Sequence, residues 1–151
     1  MIRGISFEIT NEYGVFIADI LKTIDITKFN WQISSGEFYD QAGEELFSEE
    51  IKIIDGTVFK NQLENNSYYI VFANLKAYPK EKVISKIESY EEFINSECQL
   101  VLLITDSCYT TIYCKEKEEL ELLYQNVIDC GFKDVQYITD KNDSRTRLTV
   151  N

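Results

Sequence analysis

The sequence predicts an α+β fold: a mixed, mainly antiparallel sheet with helices packed on it, built as two ferredoxin-like halves, each a split βαβ unit. Three observations lead there. Runs rich in β-branched and aromatic residues, some alternating with period two, recur along the chain. Two stretches, 13–24 and 120–128, instead place apolar residues at the i, i+3, i+4, i+7 spacing of a helix face. The order of these signals, β-α-β-β-α-β followed by α-β-β-α-β-β, suggests an internal pseudo-repeat over 1–78 and 83–151, with Trp31–Gly36 matching Leu103–Cys108.

Taken in order, Ile5, Phe7 and Ile9 mark the buried side of a first strand. Asn11 is placed to cap a helix carrying Tyr13, Phe16, Ile17, Ile20, Leu21 and Ile24 on one face. Ser34-Ser35-Gly36 is turn chemistry between two extended runs, 29–33 and 37–39, and predicts a short hairpin. Residues 41–50, rich in carboxylates, suit an exposed loop or a short helix, and Asp55-Gly56 turns the chain into a brief helix over 57–64. Tyr68 to Leu75 reads as a central strand ended by Pro79. Ser89 and Glu92 form a capping box, with Val83, Ile84 and Ile87 in a possible preceding helical turn. Runs 99–105 and 108–114 form a hairpin through Asp106-Ser107, a register that sets Leu102 opposite Thr111 and Cys114 beside Gln99. A long amphipathic helix over 115–130 ends at Gly131, and strands at 135–139 and 147–150 close the chain as an antiparallel pair.

Composition bounds the function. One domain over 1–151 is expected from the length. The chain is 44% hydrophobic with one proline, which opposes disorder. Charges interrupt the first eight residues where a signal peptide would be apolar, and no segment has the run of apolar residues a membrane span needs, so a cytoplasmic protein is expected. The net charge of −11 disfavours nucleic acid and anionic lipid as partners. Without histidine there is no Ser-His or Cys-His pair, and neither glycine-rich phosphate cradle occurs. Cys98, Cys108, Cys114 and Cys130 match no zinc spacing and are expected to be reduced and mostly buried. No metal and no cofactor is expected.

The candidate functional residues are therefore charged clusters. Glu37, Asp40, Glu44, Glu45, Glu49 and Glu50 contain no interleaved lysine or arginine; without calcium-loop spacing they read as a solvated acidic face rather than a cation site. Asp140, Asn142, Asp143, Arg145 and Arg147 suit a polar turn, and the two arginines could clamp a carboxylate or phosphate. Lys76, Lys80, Lys82 and Lys86 gather near Pro79, where lysines that keep a strand end soluble explain them more simply than a docking patch. Trp31 is an interface anchor or a core residue.

Residues 3–9 with Asn11-Glu12-Tyr13-Gly14, the run Phe72 to Lys80, and Tyr137 to Leu148 together resemble an uncharacterised domain family of unknown function from Bacillus-type Gram-positive bacteria, along the full length. The resemblance implies a bacterial cytoplasmic protein and transfers no activity, cofactor or catalytic residue. The resulting expectation is a non-enzymatic binding or regulatory domain that meets a protein partner, basic in charge, through Glu44, Glu45, Glu49 and Glu50. The alternative is a carboxylate-dependent or small-ligand-binding enzyme whose cleft joins Asp106, Asp140, Asp143 and Arg145.

Overall fold

A computed structural model describes residues 1–34, 36–47 and 51–150. Eight strands form one sheet: β1 (Ile2–Glu8), β2 (Phe29–Ser34), β3 (Glu37–Asp40), β4 (Ile51–Asp55), β5 (Tyr68–Pro79), β6 (Leu100–Thr105), β7 (Tyr109–Cys114) and β8 (Lys133–Thr139). Their order is β4-β2-β5-β6-β7-β1-β8, with β3 also on β5, and every pairing is antiparallel. The helices are α1 (Phe16–Ile20), α2 (Gly56–Asn65), α3 (Tyr90–Ile94) and α4 (Lys117–Asp129).

Alternation sorts the side chains onto two faces. Ile5 and Phe7 of β1, Trp31 and Ile33 of β2, Leu75 of β5, Leu102 of β6 and Ile112 of β7 form one core with Ile17 and Ile20 of α1, Phe59 and Leu63 of α2, and Leu120, Leu123 and Val127 of α4. Trp31 is fully buried there and donates its indole N–H to the Ile26 carbonyl at 3.0 Å. On the opposite face Tyr78, Val101, Leu103, Tyr113 and Ile138 are covered by α3 with Phe93, by Ile87, and by Leu148 and Val150. The molecule is thus three layers: helices, sheet, and a cover of α3 and irregular chain.

The α+β class holds, whereas the two ferredoxin-like halves do not assemble. The crossover β4-α2-β5 spans β2, and β7-α4-β8 spans β1, so both are split βαβ units. But β1, from the first half of the chain, lies between β7 and β8 of the second, so the halves share one sheet. Gly4 makes that insertion possible: a Cβ there would stand 1.9 Å from the Ile112 carbonyl oxygen.

Several local expectations are corrected. β2 and β3 are not a hairpin; both pair antiparallel with β5, Ile33 opposite Leu75 and Phe38 opposite Ile70, so β3 resumes the course of β2 along the same edge. β4, an apolar run after the acidic segment, is a further strand on the β2 edge, opposite Asn30 to Ser34. Asn11 does not cap α1: residues 11–13 bend, Gly14 bridges Tyr68, the helix starts only at Phe16, and the buried Tyr68 hydroxyl accepts the Ile17 and Ala18 N–H groups at 3.2 and 3.4 Å. The β6–β7 loop has three residues, not two. Asp106 and Ser107 both take positive φ, Thr105 faces Tyr109, Leu102 therefore faces Ile112, and Cys114 faces Leu100.

Val83, Ile84 and Ile87 belong to no helix; the Ser85 carbonyl is instead taken by the Tyr78 hydroxyl at 2.8 Å. Residues 147–150 are not a strand, because Leu148 turns across the sheet and donates its N–H to the Glu88 carbonyl at 2.8 Å. The capping box holds as read, with Glu92 N–H donated to Ser89 Oγ at 3.1 Å. Gly131, at φ +81°, ends α4; Phe132 N–H reaches back to the Val127 carbonyl at 3.3 Å and its ring stacks on Phe7.

Candidate functional site

The acidic residues sit beyond the β3 end of the sheet. Asp40 closes a tight turn, accepting the Ala42 and Glu44 N–H groups on Oδ1 at 2.9 and 3.0 Å, and Glu45 bridges back to Tyr39. Glu44 and Glu45 are exposed as a result. Glu49 and Glu50 lie outside the described residues. Three tyrosines from separate segments, which no local pattern connects, meet here: Tyr39 pairs with Tyr69 across the strands, and the Tyr69 ring lies 5.6 Å from that of Tyr13. The Tyr69 hydroxyl donates to Asn11 Oδ1. Glu37 and Glu45 raise the Tyr39 pKa, Glu37 most, because a phenolate beside carboxylates is disfavoured. Among the described residues, none of Glu12, Glu37, Asp40, Glu44 and Glu45 forms an ion pair. The register puts Glu8, Asp106 and Asp134 at the same end of the sheet, where the Asp134 carboxyl raises the pKa of Glu8.

The second cluster lies where the cover meets the other end of the opposite face. Residues 140–145 form a wall beside β8, folded on Asn142, whose Oδ1 accepts Thr139 N–H at 2.7 Å and whose Nδ2 donates to the Tyr137 carbonyl at 3.0 Å. Arg3 ties this wall to the sheet. Its Nε lies 2.9 Å from Asp140 and its Nη1 3.2 Å from Asp143, while its guanidinium rests 4.2 Å over the Tyr90 ring. The hydrogen bond from Arg3 holds the Asp140 pKa below the usual carboxylate range. Asp143 also accepts the Tyr113 hydroxyl at 3.0 Å, and burial, reinforced by that carboxylate, pushes the Tyr113 pKa up.

Below the wall is a cleft of about 410 Å³, floored by Ser6, Thr111, Tyr113, Gln136 and Ile138 and walled by Asn142, Asp143, Ser144 and Arg145. Of the grouping expected from sequence, Asp143 and Arg145 line this cleft, Asp140 stands behind it on Arg3, and Asp106 is on the β6–β7 turn and lines no part of it. Arg3, Ser6, Thr111 and Gln136 were missed, because nothing in a single strand's sequence marks which of its residues will share a cleft with other strands and with the 142–145 loop. A more apolar hollow of about 420 Å³ lies between Ile2, Leu120 and Tyr137.

The lysine patch divides. Lys80 pairs with Asp55 at 3.1 Å and Lys86 with Glu88 at 3.1 Å, but Lys76 is 3% exposed, with its amine 2.6 Å from Asn74 Oδ1. Burial pushes the Lys76 pKa down. All four cysteines are free; Cys98 and Cys114 are buried and Cys130 is exposed. Among the described residues no three His, Cys, Asp or Glu side chains converge as a metal site, and no helix is long and apolar enough to cross a membrane.

No solved structure matches this chain. An uncharacterized protein, YncE, of Bacillus subtilis (strain 168) is 49% identical to it over 154 residues, spanning 99% of this chain and 100% of the relative. A family model described as a protein of unknown function (DUF2691) matches residues 2–149, and the chain belongs to that family.

Proposed function

We propose that this chain is a non-enzymatic, cytoplasmic protein-binding domain that meets a basic partner through the acidic, tyrosine-bearing end of its sheet. One observation carries the reading: Tyr13, Tyr39 and Tyr69 cluster among Glu12, Glu37, Asp40, Glu44 and Glu45, and these acids have no cationic partner among the described residues. Aromatic side chains supply contact area at small entropic cost, and a charged rim steers and orients an oppositely charged surface. The rigid backing favours this as well, since Phe38 and Phe47 pack edge to face at 5.3 Å beneath the turn that presents Glu44 and Glu45.

The test is quantitative capture from a Bacillus-type lysate. The triple reversal Glu12→Lys, Glu44→Lys, Glu45→Lys and, separately, Tyr69→Ala should each release the partner, and binding by the wild type should weaken as salt rises. The control reversal Glu91→Lys, on α3, should retain it. Capture that survives the triple reversal at wild-type strength refutes the assignment.

A further inference from the structure

We propose that the cleft beneath residues 142–145 binds a small polyhydroxylated anion, with Arg145 holding its carboxylate or phosphate and Ser6, Thr111 and Gln136 its hydroxyls. This site is separate from the acidic end and its argument does not depend on that surface.

The floor is a transverse row. Ser6 is the register partner of Thr111 on β7 and of Gln136 on β8, so hydroxyl, hydroxyl and amide succeed one another at the spacing of neighbouring strands, about 4.8 Å. Among the described residues none of these three side chains, nor the Ser144 hydroxyl, hydrogen-bonds to another residue. Ser6 and Thr111 are half-buried and Gln136 and Ser144 exposed, so all four can reach a ligand that enters from solvent. Here the donors and acceptors are left facing a concavity of about 410 Å³, within the range of small-molecule sites, which runs from about 300 to 1,000 Å³.

The charge of the site follows from how its ions are paired. Of the three arginines, Arg3 binds Asp140 and Asp143, and Arg147 binds Glu88 at 2.6 Å. Arg145 has no carboxylate partner among the described residues. Its Nη1 donates to the Thr149 carbonyl at 2.7 Å and to that of Arg147 at 3.4 Å, which fixes the guanidinium while Nε and Nη2 keep their donors. A planar fork of that kind matches the oxygens of a carboxylate or phosphate. Asp143 does not oppose an anion strongly: its side chain is 5% exposed, and its oxygens already take Arg3, the Tyr113 hydroxyl and the Arg145 N–H. A cation would find no carboxylate in the cleft that is not already committed.

The experiment is an NMR titration of the isotope-labelled full chain with sodium glycerol 3-phosphate, sodium gluconate, glycerol and glucose, at matched ionic strength, with sodium sulfate as the salt control. Saturable shifts at residues 6, 111, 136 and 142–145 are expected with one or both of the first two compounds, and whichever acts identifies the anionic group. The Ser6→Ala/Thr111→Val double variant breaks no hydrogen bond within the protein, so it should fold normally and bind at least about tenfold more weakly. Arg145→Gln should weaken binding by a similar factor, and Arg145→Lys should restore part of it; if the glutamine variant loosens the tail, the floor variant decides alone. The proposal is overturned by silence in the cleft with both anions, by neutral glycerol or glucose matching them, by sulfate alone reproducing the shifts, or by unchanged affinity in the floor variant.

Discussion

Replacing Arg3 with glutamine removes the one cation that, among the described residues, forms an ion pair with Asp143. The Asp143 side chain is 5% exposed and that of Arg3 25%, so this arm is close to a buried pair. Removing one member of such a pair costs about 3–5 kcal/mol when nothing else stabilises the stranded charge. Asp143 keeps the Tyr113 hydroxyl and the Arg145 N–H, which lowers that cost. The Asp140 arm adds little, because Asp140 is 49% exposed and water screens it. The guanidinium over Tyr90 adds about 0.5–1 kcal/mol. Together these give a loss of about 2–4 kcal/mol, read by urea denaturation, with amide shifts centred on 139–145. A double-mutant cycle with Asp143→Asn should return a coupling of at least about 1 kcal/mol, since neutralising the acid removes the need for its cation. A loss below about 0.5 kcal/mol, or simple additivity, would refute the view that Arg3 holds the cleft wall.

Three further outcomes follow from the same structure. Lys76→Met should stabilise the protein at neutral pH: the folded-state pKa of Lys76 is lowered by burial, so the unfolded chain holds more protons between that value and the ordinary lysine value, and wild-type stability climbs with pH across that window and is lowest beneath it. Denaturation curves at several pH values should show the climb in the wild type and its loss in the variant. Cys98 and Cys114, pushed by burial to about 11 and about 12, should ignore Ellman's reagent at about pH 8 until the chain unfolds, whereas exposed Cys130 reacts in the native state. Gly4→Ala should cost about 3 kcal/mol or more by calorimetry or urea, because its methyl group would collide with backbone rather than with a side chain that can turn aside.

What was legible in the sequence is what local periodicity encodes. The apolar face Ile17, Ile20, Leu21 and Ile24 is buried although only 16–20 is helical, because burial follows the spacing of side chains, while the bridge of Gly14 to Tyr68 keeps the helix from starting earlier and a turn from Leu21 to Ile24 follows it. The capping box at Ser89 and the glycine after α4 depend on three or four adjacent residues and were readable for that reason. The turn at 34–36 was misread because turn-forming residues also suit an interruption in a strand, and only the partner β5 distinguishes the two. Asp143 and Arg145 were visible as loop chemistry; Ser6, Thr111 and Gln136 were not, being small polar residues on strands whose pairing is set by the whole sheet.

That dependence has a mechanical consequence. Because β1 is threaded between β7 and β8, the cleft floor is assembled from residues 6, 111 and 136, and its wall is held by residue 3. No one segment contains the site, so it exists only when the longest-range pairings of the fold are made. The acidic surface is built differently: Asp40, Glu44 and Glu45 are presented by one turn on β3, with Phe47 anchoring the chain just beyond. A ligand in the cleft should therefore raise the resistance of β1 and β8 amides to hydrogen exchange together, whereas a partner on the acidic turn should protect residues 37–47 and leave β8 as it was. Exchange protection confined to the wall alone, with β1 unaffected by a cleft ligand, would mean that the loop closes on its own and that the inserted strand has no part in the site.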